Sequence, residues 1–165
     1  MKKIATLIGT IMVTSIALLG CANLDDPKTS EETKQTTPKK AELKADSKAT
    51  YGFHDVVDAN GLRIEVTKAQ LLEADNKKDA ILKLSFQLAN PTAEKKGFTA
   101  INLEVKNKEG ESLDVYPGEN YGKELETGTT DKGDGYFMVK GSGPYKVTYT
   151  DPDHKEVTAT WEIAI

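Results

Sequence analysis

A chain of 165 residues with 22 basic and 26 acidic side chains, formal charge −4, has room for one ordinary domain plus appendages and is too acidic to hold nucleic acid by charge. Arginine usage points the same way: Arg63 is the only guanidinium, whereas bidentate capture of phosphate or carboxylate draws on several. The chain opens on Met1, Lys2 and Lys3, followed by an uncharged apolar run over residues 4–19. That run falls short of the roughly 20 residues a membrane span needs and closes on Leu18-Leu19-Gly20-Cys21, so residues 1–20 read as a cleaved export signal.

The closing tetrad resembles the lipobox of bacterial lipoproteins, in which an aliphatic residue, a small one and Gly or Ala precede a cysteine. Leu19 departs from the pattern, standing where Ser or Ala is commoner. The resemblance implies that the Cys21 thiol takes a diacylglyceryl group and that the signal is cut between Gly20 and Cys21. Cysteine counting fits, because Cys21 is the only thiol, and an exported protein with one leftover cysteine must pair it between chains, leave it reactive or modify it. Two acyl chains anchor durably where one is marginal, at about 0.8 kcal/mol per buried methylene. Removing residues 1–20 takes Lys2 and Lys3 and no acid, leaving 20 basic against 26 acidic groups, a mature charge of −6.

Residues 22–50 carry no aromatic and few aliphatic side chains, with six lysines balanced by six acids. Such a polyampholyte buries too little apolar surface to offset ordering, so residues 21–50 read as the lipidated cysteine and a disordered tether spanning roughly 30 Å as a coil. All eleven aromatic residues follow, from Tyr51 onward, placing one folded domain at residues 51–165.

Period-two alternation dominates that domain. Leu62, Ile64 and Val66 oppose Arg63, Glu65 and Thr67; Leu82, Leu84, Phe86 and Leu88 oppose Lys83, Ser85 and Gln87. Ile101, Leu103 and Val105 form a third stripe, Tyr145, Val147 and Tyr149 a fourth, and Val157, Ala159, Trp161, Ile163 and Ile165 a fifth. Residues 68–75 read as strand running into a hairpin loop. Turn chemistry falls between the stripes at Asn60-Gly61, Asn90-Pro91, Glu109-Gly110 and Asp151-Pro152-Asp153. Seven or eight short strands so punctuated predict an all-β fold, an antiparallel sandwich or barrel.

The strands Gly61-Leu62-Arg63-Ile64-Glu65-Val66-Thr67 and Leu82-Lys83-Leu84-Ser85-Phe86-Gln87-Leu88-Ala89-Asn90-Pro91-Thr92 carry a further resemblance. With the Lys108-Glu109-Gly110-Glu111 hairpin, the Gly133-Asp134-Gly135 approach to Tyr136-Phe137 and the terminal Trp161, they are similar to an uncharacterised family of bacterial lipoproteins whose domain of unknown function is telokin-like. The resemblance implies an immunoglobulin-like β-sandwich over residues 51–165. The antibody-type Cys…Trp…Cys spacing is absent, so packing alone must hold the sheets. The stretch 116–132 exceeds the family's usual hairpin length.

Catalytic chemistry finds few residues to work with. His54 and His154 stand a hundred residues apart, no motif resembles a nucleophile elbow, and ligand spacing for zinc is missing, so neither catalytic nor metal residues are assigned and no cofactor is implied. Asp131-Lys132-Gly133-Asp134-Gly135 offers two carboxylates on a glycine-rich stretch, short of the ligand pattern of a calcium loop. The expected interaction surface is the 116–135 loop, with Tyr116, Tyr121, Asp131 and Asp134, against the alternative that its tyrosines pack at a core rim. The resulting expectation is a membrane-anchored, extracytoplasmic, non-catalytic binding or scaffolding module. Its partners are the membrane, through the lipid, and an envelope or surface protein or wall polymer. The competing readings are a small envelope hydrolase and a precursor of a peptide pheromone, since residues 13–20 resemble such apolar octapeptides.

Overall fold

Alternation becomes strand wherever one face of a segment is buried and the other meets water. The computed structural model describes residues 41–75 and 79–165, so the expected signal peptide, Gly20 and Cys21 lie outside the described residues. Eleven strands are formed among them. In chain order they are β1 (Glu42–Lys44), β2 (Thr50–Tyr51), β3 (Val56–Ala59), β4 (Leu62–Glu73), β5 (Ala80–Ala89) and β6 (Lys96–Thr99). After a 3₁₀ turn at Ala100–Asn102 come β7 (Glu104–Lys106), β8 (Gly122–Leu125), β9 (Thr130–Met138), β10 (Tyr145–Thr150) and β11 (Thr158–Ile163).

One sheet has the order β1-β3-β4-β5-β9, a second β2-β11-β10-β7, and β6 and β8 form a two-stranded ribbon. The core fills the space between inner faces. Leu62, Ile64, Val66, Leu82, Leu84, Phe86 and Leu88 supply one side, and Tyr145, Val147, Tyr149, Ala159, Trp161 and Ile163 the other. Trp161 is nearly fully buried, and its indole N–H donates to Asp55 O at 3.1 Å, so the largest core side chain leaves no polar atom stranded.

The β-sandwich expected from the sequence is the observed fold, with three corrections. Pairing is mixed, because β1 runs parallel to β3 and β2 parallel to β11. Residues 41–50, expected as the end of the tether, supply strands to both sheets, and with the ribbon they raise the strand count above seven or eight. These pieces are two to four residues long, and β1 is exposed throughout, so no alternation marks them. Finally, Ile101 does not share a face with Leu103 and Val105: the 3₁₀ turn rotates it outward, leaving it 53% exposed while Val105 is buried.

A candidate binding cavity at the open edge of the second sheet

β6 and β7 flank the 3₁₀ turn in one stretch of chain, but they pair with different neighbours. β7 lies against β10, with Glu104 opposite Thr148 and Lys106 opposite Lys146, whereas β6 lies against β8. The direction of each main-chain group follows from the hydrogen bonds on either side. Leu113 N–H donates to Val105 O, so Glu104 and Lys106 turn their polar groups toward β10. On the far side of β10, Asp151 N–H donates to Val157 O in the register of β11. Successive residues alternate, so Thr150 points its N–H and C=O to the side where β7 has already ended. No strand of the described residues takes them. The same parity applies to the ribbon: Ala100 N–H donates to Tyr121 O, which turns Phe98 toward β8 and Gly97 and Thr99 away from it.

The gap left beside Thr150 is a cavity of about 380 Å³ bordered by Gly97, Phe98, Thr99, Lys123, Glu124 and Tyr149, with Asn102 and Pro152 at its margins. Its floor is aromatic. Phe98 and Tyr149 stack with centroids 5.9 Å apart and planes 18° from parallel, and Phe98 also meets Phe86 at 5.5 Å. Burial, together with the charges of Asp151 and Asp153, pushes the Tyr149 phenol far above its ordinary range, so it stays neutral. The rim presents hydroxyls, an amide and one charge of each sign. Ring faces and hydrogen-bonding groups are the chemistry of recognition, and neither histidine borders the cavity.

The four expected loop residues are not gathered at one place. Half of the 116–135 stretch is strand, not loop, being occupied by β8 and the first part of β9. Tyr121 packs at a tilt near Phe98, with ring centroids 6.1 Å apart, and its hydroxyl donates to Asp131 at 3.1 Å; burial and that carboxylate push its phenol up to about 12. Asp131 also takes Lys123 Nζ at 2.7 Å, which holds it below the usual carboxylate range. Asp134, three residues along β9, emerges on the opposite face beside Ser85 Oγ at 2.6 Å and Lys83 Nζ at 2.9 Å. Two carboxylates on opposite faces of one strand cannot share a calcium ion, and no group of three metal-ligating side chains occurs among the described residues. Tyr116 stands elsewhere again: its hydroxyl reaches Asp75 at 3.2 Å over a second concavity of about 340 Å³ that also touches Leu72 and Tyr136.

His54 adopts a left-handed φ of 71°, its ring tilted against that of Phe53 with centroids 4.1 Å apart, and lies 3.4 Å from Glu65. His154 sits in the β10–β11 turn, where Asn60 Nδ2 approaches its Nδ1 at 3.0 Å. That turn is organised by Asp151, whose buried carboxylate accepts from the N–H groups of Asp153 and His154 at 2.9 and 2.8 Å and from Asn60 Nδ2 at 3.2 Å. Burial alone would raise the Asp151 carboxyl, but these donors outweigh it and hold it below the usual value. A depressed folded-state pKa contributes stability that is complete above the unfolded value near 3.9 and is lost as pH falls through the lower, folded value. The urea midpoint is therefore expected to fall on acidification through this window. Asp151→Asn is expected to flatten that fall; an equally steep acid limb in the variant would assign it to other carboxylates.

Proteins of known structure share this arrangement of sheets. The yjhA protein from Bacillus subtilis matches with a TM-score of 0.55 at 11% identity, covering 69% of this chain and 99% of that one. The ycdA protein from Bacillus subtilis subsp. subtilis str. 168, described provisionally as a lipoprotein, gives 0.57 at 14% identity over 69% of this chain; the match spans only 39% of ycdA. A β-sandwich protein from Clostridium difficile 630, described as uncharacterised, gives 0.50 at 7% identity, covering 76% and 99% of the two chains. The domain is a β-sandwich like theirs. At such identities the likeness is one of fold alone. No protein-family model matches the chain, and no curated protein matches it.

Proposed function

We propose that this chain is an exported lipoprotein, a relative of the telokin-like lipoproteins it resembles, whose sandwich is a non-catalytic binding module held at the outer face of the membrane. One observation carries the reading: an uncharged run ends in Leu18-Leu19-Gly20-Cys21, and that cysteine is the only one in the chain. The provisional lipoprotein description of ycdA agrees with it. Binding is what the cavity beside Thr150 offers: ring faces, hydroxyls and an amide meet there, with one lysine and one glutamate at the rim. The segment before β1 then acts as a tether between lipid and domain.

Cys21→Ala is expected to abolish incorporation of labelled palmitate and to release the protein from the cell into the medium. A variant that still takes label would overturn the anchor. The module is tested separately, by cross-linking intact cells and recovering the protein alongside a control that carries residues 1–40 without the sandwich. Enrichment of a defined envelope protein or wall polymer over that control is expected, and identical recoveries would remove the binding role.

A further inference from the structure

We propose that the cavity between β6 and β10 receives an extended, cationic peptide segment of a partner protein, added as a strand beside β10. This deepens the reading of the domain as a binding module and names the kind of partner it takes.

The main chain makes the first part of the case. Thr150 turns its N–H and C=O into the side that β7 has vacated, and across the cavity Gly97 and Thr99 turn theirs away from β8. An edge of this kind, flanked by a second one, presents unpaired donors and acceptors in strand geometry, which is what a peptide adopting β conformation satisfies. A sugar ring does not reproduce that spacing. The aromatic floor supplies the second part. Alternate side chains of an added strand point to one face, and here that face is the Phe98–Tyr149 stack, apolar and able to accept a branched aliphatic side chain. Charge selects the peptide. Lys123, the one cation on the rim, is neutralised by Asp131 at 2.7 Å, while Glu124 borders the cavity and the charges of Asp151 and Asp153 are felt at Tyr149. Lysine or arginine flanking the buried side chain meets this field favourably, and glutamate does not.

The test uses the mature chain, residues 21–165, bearing Cys21→Ala so that it remains unlipidated, with an acetylated seven-residue peptide alternating valine and lysine as the probe. Amide exchange at Thr150 is expected to slow by about tenfold or more at saturating peptide, because a bonded amide must open before it exchanges. The valine–glutamate counterpart is expected to bind about tenfold more weakly or not at all. Two variants keep the outcome decisive. Gly97→Trp fills the mouth of the cavity, where an added Cβ meets no atom within 4 Å, and Thr150→Pro deletes the open donor at the last residue of β10, whose N–H points away from its partner Thr158 on β11. Both are expected to fold and to weaken binding of the valine–lysine peptide by about tenfold or more. Unchanged Thr150 exchange at roughly millimolar valine–lysine peptide overturns the proposal. So does peptide binding retained in Gly97→Trp, or equal protection from a trimer of N-acetylglucosamine. Each of these results leaves the cross-linking test of a binding role standing on its own.

Discussion

Gly133→Ala is expected to cost the domain about 1–3 kcal/mol, through a clash with one residue, Tyr121. Gly133 sits on the inner face of β9, opposite Phe86, and a Cβ built on it would lie 2.2 Å from two ring atoms of Tyr121 and 2.5 Å from its Cβ. Its backbone is ordinary strand, so in open space alanine would be at least as well tolerated as glycine. The ring has nowhere to retreat, because its root is as close as its face. Tyr121 must leave, giving up its contact with Phe98 and its hydrogen bond to Asp131, and the end of the β6–β8 ribbon loosens with it. Thermal unfolding is expected to fall by roughly 3–6 °C for each kcal/mol at this size. A double-mutant cycle isolates the cause. In a Tyr121→Ala background the same glycine substitution is expected to cost less than about 0.5 kcal/mol, a strongly non-additive result. Equal costs in both backgrounds would mean that β9 rejects the methyl group for some other reason.

The same glycines explain what the sequence concealed. Gly133-Asp134-Gly135 invites a loop reading, since glycine and aspartate are turn residues, yet here they lie inside the nine-residue strand β9. Each glycine answers to a distant residue. Gly133 is undercut by Tyr121, and a Cβ on Gly135 would come within 2.9 Å of Ala100. Local composition carries no trace of such contacts, so the stretch reads as a loop with two tyrosines on it when Tyr121 is in fact wedged half-buried against a strand. β5 was legible to both of its ends because Leu82, Leu84, Phe86 and Leu88 alternate without a break and each is large and apolar. In β4 the alternating stripe ends at Thr67, where the register shifts between Val66 and Lys68 and the phase changes, yet the strand runs on to Glu73 as expected for residues 68–75.

The cavity was less accessible still. Phe98 and Tyr149 stand fifty-one residues apart, and the feature that opens the space between them is a missing pairing, which no residue announces. The one local sign is the lapse of alternation after Thr99, where Ala100, Ile101 and Asn102 turn instead of extending. Read as a strand, that segment would have covered the edge of β10 completely. The proposed lipid anchor lies at the other extreme: that proposal rests on four consecutive residues, because a lipidation signal is recognised on the unfolded precursor and needs no tertiary contact.

Asn90→Asp is expected to be the most damaging single-atom change in the domain. Asn90 is completely buried after β5, and every polar atom of its side chain is used. Its Nδ2 donates to Glu94 O at 2.7 Å and Leu125 O at 3.0 Å, while its Oδ1 accepts from the Thr92 amide at 3.1 Å and the Thr92 hydroxyl at 2.7 Å. One amide thus ties the turn after the central sheet to the ribbon strand β8. Asn90→Ala leaves Leu125 O and the Thr92 amide without their partner, while the Thr92 hydroxyl still donates to Glu94 O at 2.9 Å, a loss of about 1–3 kcal/mol. The carboxylate introduced by Asn90→Asp goes further, since it places a buried charge against two carbonyl oxygens where a donor stood. Burial and those carbonyls raise its folded-state pKa above the unfolded value, so its penalty is greatest at neutral pH and is relieved as pH falls and the acid protonates to donate again. The deficit relative to the parent chain, from urea midpoints at pH 7 and pH 4.5, is therefore expected to shrink on acidification for Asn90→Asp and to stay constant for Asn90→Ala. A pH-independent deficit for both would show that the amide's contribution is one of shape and not of hydrogen bonding.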